Sequence, residues 1–300
     1  MENYLRLLVT QIKRNMFMTT GIGRINHNNP KRRKVMRKTV VLVLVSVLLL
    51  LAVNTAVAGK AMDSILNKGQ LVVGITGTQP PLNVTNKDGK IIGYDADIAR
   101  LIAMNLGVEV KFATMPFAEL LPALTAGKVD MVLSSMTMTL ERNRKVAFVG
   151  PYYISGKGVI TKTQTICALQ QAEGLNKPEF KVAALNNSTS QAFVEQAAPK
   201  AQLVTTKSYD EAVDMLLQDK VTAIVADYPF CAFTAFRHQD DGLISGQSKL
   251  TIEPLGIAIP EDALLINWLN NFVNMFEVSG QMKKLTQKWF QDGAWIKELP

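Results

Sequence analysis

Cysteine and histidine are both scarce in this chain, with two residues of each among 300. The cysteines, Cys167 and Cys231, belong to no CxxC pair and to no other spacing typical of a metal site. Their spacing is compatible with a disulfide in an oxidising compartment and equally with two buried free thiols. The sequence therefore predicts neither a bound metal nor a cofactor.

The chain also lacks an apolar run long enough to cross a bilayer. Its main run, 40–53, is shorter than the roughly 20 residues that a transmembrane helix needs. Basic residues at 31–38 precede this run and the small residues AVA at 56–58 follow it, which is the pattern of a secretory signal peptide. No cysteine at the cleavage point would carry a lipid anchor. We expect residues 36–58 to be a signal peptide cut after Ala58, and the product to be periplasmic.

The first 35 residues are unusual for such a leader, because a basic n-region is normally only a few residues long. Met36, followed by Arg37 and Lys38, would make an ordinary start. We expect residues 1–35 to be either a misassigned extension, with translation beginning at Met36 and not at Met1, or unstructured.

Acidic residues are nearly absent from the leader, and this explains the net charge of +8. The ten Lys and Arg before Gly59 face a single acid, Glu2, so 23 basic and 24 acidic residues remain from Gly59 onward. The basic balance therefore belongs to a targeting segment. It does not indicate nucleic-acid binding, which would need a basic face on the folded domain.

From Asp63 onward, short β-branched runs alternate with amphipathic helical stretches, which predicts an α/β fold with largely parallel sheets. Asp95 is placed as the N-cap of a helix that ends at Gly107. The segment 77–83 is predicted to be a loop. The predicted strands are 71–75, 108–113, 129–133, 158–161, 181–186, 201–206, 221–226 and 255–259, and the other helices are 117–125, 209–219, 264–278 and 281–290.

A weak repeat relates the two halves of this region. At a constant offset of 92, the segment from Phe117 aligns with the segment from Tyr209, and Ser135 aligns with Asp227. Each of the latter two is then a polar residue at the carboxyl end of a strand, where ligands bind in open α/β sheets. Any two α/β units can share such a period, so the repeat supports two similar lobes without proving them.

The run SSMTMTLER at 134–142 follows a predicted strand and concentrates hydroxyl groups beside one guanidinium. The hydroxyls donate and accept hydrogen bonds, and Arg142 offers a planar fork that matches a carboxylate. The alternative is capping by Thr139 with Arg142 as a solvated charge. Ser188 and Thr189 lie at a predicted helix start, where they either receive an anion or only cap the helix.

Four segments spread over residues 63–300 carry a family resemblance. They are GYDADIA at 93–99, SSMTMTLER at 134–142, GPYY at 150–153 and GIAI at 256–259. In this order they resemble the family 3 bacterial extracellular solute-binding proteins, the type II periplasmic amino-acid-binding proteins of ABC importers. The resemblance implies a two-lobed α/β fold, with crossover strands near 153–157 and 252–257 and the ligand enclosed between the lobes.

The same resemblance implies the domain limits and the partners. Lobe 1 would comprise 59–153 and 256–300, and lobe 2 would comprise 154–255. The protein would act as a monomer with an ABC transporter permease in the inner membrane, and would bind no nucleic acid.

Carried over to this sequence, the family pattern makes Arg142 the residue that binds the α-carboxylate of the ligand, and Asp227 the residue that binds its α-ammonium. Arg142 would be the only full positive charge that faces the ligand carboxylate. A zwitterion does need one buried cation and one buried anion, although Asp227 could also be a helix N-cap. The other implied ligand contacts are Ser134, Ser135, Thr137, Ser188, Thr189, Gln79, Phe117 and Thr76.

Two positions depart from the family pattern. Gln79 stands where a Tyr or Phe usually covers the ligand, and Thr76 stands where binders of cationic amino acids often have an acid. We therefore expect neutral or acidic ligands to be preferred over arginine and lysine. Phe117 either packs on the ligand or belongs to the core.

Two other function classes are compatible with the resemblance. A few relatives are periplasmic dehydratases of prephenate or arogenate, and others are sensor domains of membrane receptors. The enzyme would need a general acid in the site, and we expect His238, Glu119 and Glu141 to lie at the surface instead. The sensor would need a membrane helix after the second lobe, and the sequence shows none up to Pro300. We expect a binding protein and no catalytic residue.

Overall fold

The computed structural model of the protein describes residues 59–162 and 172–300. The predicted signal peptide, the first 35 residues and Cys167 lie outside these ranges. Cys231 is a buried free thiol. Within the described residues, no helix is both long and apolar enough to cross a membrane.

Helices and strands alternate along the chain as the sequence predicts. The helices are α1 (Lys60–Lys68), α2 (Tyr94–Leu106), α3 (Phe117–Thr125), α4 (Leu140–Asn143), α5 (Thr189–Ala197), α6 (Tyr209–Leu217), α7 (Tyr228–Arg237), α8 (Ala263–Val278) and α9 (Gln281–Phe290). The strands are β1 (Gln70–Ile75), β2 (Thr78–Gln79), β3 (Asn83–Thr85), β4 (Ile91–Ile92), β5 (Glu109–Thr114), β6 (Met131–Val132), β7 (Ala147–Ser155), β8 (Lys157–Thr161), β9 (Lys181–Leu185), β10 (Gln202–Thr206), β11 (Ala223–Asp227), β12 (Ile244–Ser245) and β13 (Glu253–Ile259).

Two five-stranded sheets organise these elements. The first has the order β5-β1-β6-β13-β7 and the second the order β10-β9-β11-β8-β12. In the first sheet β1 is parallel to both of its neighbours, and in the second sheet β9 is. The remaining neighbouring strands of each sheet pair antiparallel. A small antiparallel sheet joins β2, β3 and β4. The predicted two-lobed α/β fold is confirmed.

The two sheets are connected where β7 passes into β8 and where the chain returns into β13. These connections lie side by side, because Glu253 of β13 pairs with Ser155 of β7. The predicted lobe limits fall within β7 and β13. The helices α1, α2, α8 and α9 contribute to one apolar core with the first sheet, which includes Ile65, Ile98, Leu265 and Trp289.

Two predicted elements differ from the observed ones for identifiable reasons. Of the strand predicted at 129–133, only Met131–Val132 (β6) is observed as a strand, because the Asp130 carboxylate accepts the Val72 N–H at 2.8 Å. A side chain there replaces a backbone partner of the ladder. The loop predicted at 77–83 contains β2 and the start of β3, which are too short to show an alternating pattern.

Asp95 is not the N-cap of its helix, contrary to the prediction. Helix α2 begins at Tyr94 after Gly93, and a Cβ on Gly93 would lie 2.3 Å from the Leu82 carbonyl oxygen. Asp95 is fully buried in the first turn. Its carboxylate accepts hydrogen bonds from the Asn83 side chain, the Ser135 backbone N–H and the Tyr152 hydroxyl, each at 2.9 Å. Burial raises the pKa of Asp95 to about 6, against the opposing effect of these donors.

The raised pKa of Asp95 predicts a specific pH dependence of stability. The folded state holds the Asp95 proton more tightly than the unfolded state, whose pKa is near the ordinary value of 3.8. Relative to Asp95→Asn, the wild-type free energy of unfolding should be greatest below about pH 4. It should fall by up to about 3 kcal/mol as the pH rises to about 6, and then stay level.

Urea unfolding of both proteins between pH 4 and 8 measures this difference. The Asn variant is a suitable reference, because its carbonyl can keep the Asn83 and Ser135 donors while its amide donates to the Tyr152 oxygen. A wild type that gains stability over Asp95→Asn between pH 4 and 6 would contradict the prediction.

Candidate functional site

The turn after β6 is held in place by contacts from several elements. Ser135 has a φ of 54°, an uncommon conformation for a residue other than glycine, and its backbone N–H is bonded to Asp95. Thr137 forms a β-bridge with Leu255 of β13. Thr139 caps α4 as predicted, because its side chain accepts the Arg142 N–H at 3.1 Å. These contacts fix where α4 begins and therefore where Arg142 lies.

Arg142 is not a solvated surface charge. Its guanidinium donates to the Thr137 carbonyl at 2.8 Å and to the Asn187 carbonyl at 3.3 Å. The guanidinium carbon lies 5.5 Å from the centre of the Phe117 ring, within the range of a cation–π contact. Burial lowers the pKa of Arg142, and the negative charges of Asp227 and Glu253 oppose that shift.

The turn before α5 faces this arginine. Asn187 has a φ of 57° and accepts from Arg142, and Thr189 Oγ1 lies 3.2 Å from Thr137 Oγ1. Ser188 is the N-cap of α5, with its hydroxyl accepting the Gln191 N–H at 3.2 Å. Because β6 and β9 belong to different sheets, these contacts join the two lobes.

Asp227 ends β11 and is 5 % exposed. It stands at the N-cap position of α7, but its side chain makes no capping hydrogen bond. Instead, its Oδ1 accepts from Lys157 Nζ at 2.8 Å, and the same Nζ lies 3.7 Å from Glu253 Oε2. Lys157 and Asp227 face each other in the antiparallel pair of β8 and β11.

Lys157 is a second full positive charge in this region, paired with Asp227, and the expectation that Arg142 alone faces the ligand carboxylate stays a prediction. Lys157 is 2 % exposed, so the group contains two cations, Arg142 and Lys157, and two anions, Asp227 and Glu253. Sequence reasoning did not single out Lys157 or Glu253. The available signal was a lysine between two glycines at the start of an apolar strand.

A second set of predicted residues forms a hydrogen-bonded layer around Asn83. Thr76 donates through its hydroxyl to Asn83 Oδ1 at 2.8 Å, and Ser134 accepts the Thr76 backbone N–H at 3.0 Å. Gln79 is 2 % exposed and its carbonyl is 3.5 Å from Asn83 Nδ2. Asn83 in turn donates to Asp95. No local sequence pattern indicated that Asn83 would be central to this network.

The structure therefore divides the predicted site residues into three groups. Arg142 contacts Thr137 and Phe117, Thr137 in turn contacts Thr189, and Ser188 caps the helix that begins at Thr189. Asp227 pairs with Lys157. Ser134, Ser135, Thr76 and Gln79 belong to the network of Asn83 and Asp95. Their roles toward a ligand stay predictions.

Known proteins are similar to this chain both in fold and in sequence. Residues 71–292 match the family model described as bacterial extracellular solute-binding proteins, family 3. The chain belongs to this family. It is 27 % identical over 224 residues to the ABC transporter arginine-binding protein 1 of Escherichia coli (strain K12), a match that covers 72 % of this chain and 89 % of that protein.

Solved structures of similar proteins show the same architecture. A putative binding component of an ABC transporter from Wolinella succinogenes, complexed with lysine, superposes with a TM-score of 0.73 at 31 % identity, covering 77 % of this chain and 99 % of that one. An ancestral amino acid-binding protein, described as a precursor of cyclohexadienyl dehydratase, gives a TM-score of 0.72 at 34 % identity, covering 77 % and 100 %. The relatives of this chain are thus amino-acid-binding proteins, and several of them belong to ABC transporters.

The burial of the Asp227 ion pair predicts a large cost for its removal. Asp227→Asn leaves Lys157 buried with only the more distant Glu253, and should lower the free energy of unfolding by about 3 kcal/mol. The matched control is Asp219→Asn, because Asp219 also lies 2.9 Å from a lysine, Lys162, but has a side chain that is 78 % exposed. That change should cost less than about 1 kcal/mol.

Urea unfolding of the ligand-free protein measures both variants. Equal losses in the two variants would show that burial does not set the strength of the Asp227 pair.

Proposed function

We propose that the protein is the substrate-binding component of an ABC importer and binds a free amino acid between its two lobes. The observation that carries this proposal is the placement of Arg142 and Asp227 on elements of different lobes: a half-buried cation and a buried anion that act on each other electrostatically. A zwitterion is the small ligand whose two charged ends match such a pair.

Arg142 would bind the α-carboxylate in this arrangement, and Asp227 would bind the α-ammonium. The guanidinium already uses its planar fork on two carbonyls, which a carboxylate can replace with two parallel bonds. Thr137 and Thr189 lie beside it and can add hydrogen bonds. The other proposed ligand contacts are Ser134, Ser135, Ser188, Gln79, Phe117 and Thr76.

Ligand binding should involve closure of the lobes. Arg142 and Thr137 follow β6 of the first sheet, while Asn187 and Thr189 follow β9 of the second, and these four residues touch across the cleft. A ligand must enter through a more open form and then favour the closed one, in which both of its charges are satisfied.

We further propose that the side chain of the ligand is neutral or acidic. Thr76 brings no carboxylate to its position, and the nearest acid of that layer, Asp95, is fully buried and already accepts three strong hydrogen bonds. The names of the arginine-binding and lysine-bound relatives point the other way, so the side-chain preference is a sharp test of this site.

The remaining expectations form part of the same proposal. The product would be a periplasmic monomer, released by cleavage of the signal peptide and partnered by an inner-membrane permease. The three residues considered from the sequence as general acids of a dehydratase lie elsewhere: Glu119 and Glu141 are exposed, and His238 pairs with Asp241 at 2.8 Å. Turnover of prephenate by the purified protein would overturn the proposal of a binding protein.

The ligand preference can be measured with the mature protein, residues 59–300, and the common amino acids. Thermal-shift and calorimetric panels should give the largest stabilisation with a neutral or acidic amino acid. Arginine or lysine as the tightest ligand would contradict the role assigned to Thr76. The absence of any amino-acid ligand would contradict the proposed function itself.

Loss of Arg142 should strongly weaken binding. Truncating one member of a buried, hydrogen-bonded charge pair typically costs about 2 to 5 kcal/mol, so Arg142→Ala should reduce affinity by roughly 30-fold to several thousandfold. Arg142→Lys should also lose affinity, because a point charge cannot form the two-pronged contact. Calorimetry with the best amino acid of the panel gives both values.

The matched control is Arg144→Ala, because Arg144 is an exposed arginine at the end of the same helix. It should bind like the wild type. A folded Arg142→Ala variant with unchanged affinity would remove Arg142 from the site.

A further inference from the structure

Lys157 lies where a ligand ammonium would have to bind. It is the first residue of β8, between Gly156 and Gly158, and its Nζ donates to Asp227 Oδ1 at 2.8 Å. The side chains of Lys157 and Asp227 are 2 % and 7 % exposed. The carboxylate assigned above to the ligand is therefore already paired within the protein.

Glu253 is an incompletely satisfied partner of the same lysine. Its Oε1 accepts from the Thr251 hydroxyl at 3.1 Å, and its Oε2 lies 3.7 Å from Lys157 Nζ. Glu253 Oε2 is buried and has no hydrogen bond to any of the residues that the structure describes. Such an oxygen is costly unless another state of the protein supplies its donor.

The charges of the site are already balanced without a ligand. The two positive charges of Arg142 and Lys157 equal in number the two negative charges of Asp227 and Glu253. An added zwitterion must therefore find partners among charges that are already balanced. Its carboxylate can replace the two neutral carbonyls that now accept hydrogen bonds from Arg142. Its ammonium, however, needs an anion, and Lys157 occupies Asp227.

We propose that Lys157 holds the place of the ligand ammonium, and that binding moves its Nζ from Asp227 to Glu253 Oε2. This inference rests on the proposed function. After the move every charge has a partner: the ligand carboxylate on Arg142, the ligand ammonium on Asp227 and Lys157 on Glu253. The buried oxygen of Glu253 also gains its hydrogen bond.

The geometry permits this transfer with a small motion. The separation of 3.7 Å between Lys157 Nζ and Glu253 Oε2 has to shorten to hydrogen-bond distance, about 3 Å. A lysine has a flexible four-carbon stem and three donors, so it can make this change without moving β8. Glu253 pairs with Ser155 across the two connections between the lobes. The transfer therefore takes place where the lobes are joined.

Lys157 thereby makes the site selective for an ammonium group. A carboxylic acid that lacks the α-ammonium cannot displace Lys157 from Asp227, and gains only the contacts of Arg142. Lys157 also competes with the ammonium of an amino acid, so it lowers affinity while it keeps the empty site neutral. Glu253 has the opposite effect, because it receives the displaced lysine.

The test compares two ligands in four proteins. The ligands are the L-amino acid that gives the largest thermal shift with the wild type and the corresponding L-2-hydroxy acid, in which a hydroxyl replaces the ammonium. The proteins are wild type, Lys157→Met, Glu253→Gln and the double variant. Calorimetry gives the ratio of amino-acid to hydroxy-acid affinity for each, and a general disturbance of the site cancels in that ratio.

Lys157→Met should raise the ratio about tenfold, and Glu253→Gln should lower it about tenfold, changes expected for one charged hydrogen bond gained or lost. In the Lys157→Met background, Glu253→Gln should no longer lower the ratio. A ratio that is unchanged in both single variants would overturn the proposal. So would an equal loss of both ligands in Lys157→Met, which would place Lys157 on the ligand carboxylate.

Two further outcomes keep the result decisive. If Lys157→Met does not fold, Glu253→Gln carries the test alone, because its amide can still accept from Thr251 and it leaves the Asp227 pair intact. If no amino acid binds the wild type, the proposed function fails and this inference falls with it. If amino acids bind but the ratio does not respond to Glu253→Gln, this inference alone fails.

Discussion

The carboxylate of Asp95 is the group on which the geometry of the site depends. It accepts hydrogen bonds from Asn83, from the backbone of Ser135 and from the hydroxyl of Tyr152. These donors belong to β3, to the turn after β6 and to β7, so one buried side chain ties together three separate segments. Burial raises the pKa of Asp95 to about 6 despite these donors, which means that the arrangement is maintained at a cost in stability. Such local cost is common where a protein builds a binding site.

The backbone beside Arg142 is unusual on both sides of the cleft. Ser135 and Asn187 have positive φ angles, and hydrogen bonds hold each of them: Ser135 donates to Asp95, and the Asn187 N–H donates to Gln191 at 2.8 Å. Because these conformations are uncommon outside glycine, the surrounding contacts must stabilise them. The carbonyls of Thr137 and Asn187 thereby meet at one guanidinium, and the hydroxyls of Thr137 and Thr189 lie 3.2 Å from each other.

Local patterns predicted those parts of the fold that local physics decides. The α/β alternation and the bounds of helix α3 follow from periodicity, and Asp227 stands out as a polar residue at a strand end. Local pattern left Arg142 as either a ligand contact or a solvated charge, and its role toward a ligand was implied only by the family resemblance. Asp95 was misassigned because an aspartate before an apolar helix is typical of a cap. Its actual partners are 12, 40 and 57 positions away along the chain. Lys157 was missed for a similar reason, since one lysine in a strand is usually a solvated charge and only its tertiary neighbours show otherwise.

If the protein binds an amino acid as proposed, the site already contains internal substitutes for both ends of that ligand. Two carbonyls, of Thr137 and Asn187, satisfy Arg142 in place of a carboxylate, and Lys157 satisfies Asp227 in place of an ammonium. An unpaired charge in a buried cleft is costly, so these substitutes allow the closed arrangement to form without a ligand. Under the proposed function, the ligand would have to displace them, and its affinity would be the difference between the new contacts and the old ones. On the same proposal, Glu253, which would receive Lys157 and not the ligand, would change affinity by changing how strongly Lys157 is held at Asp227.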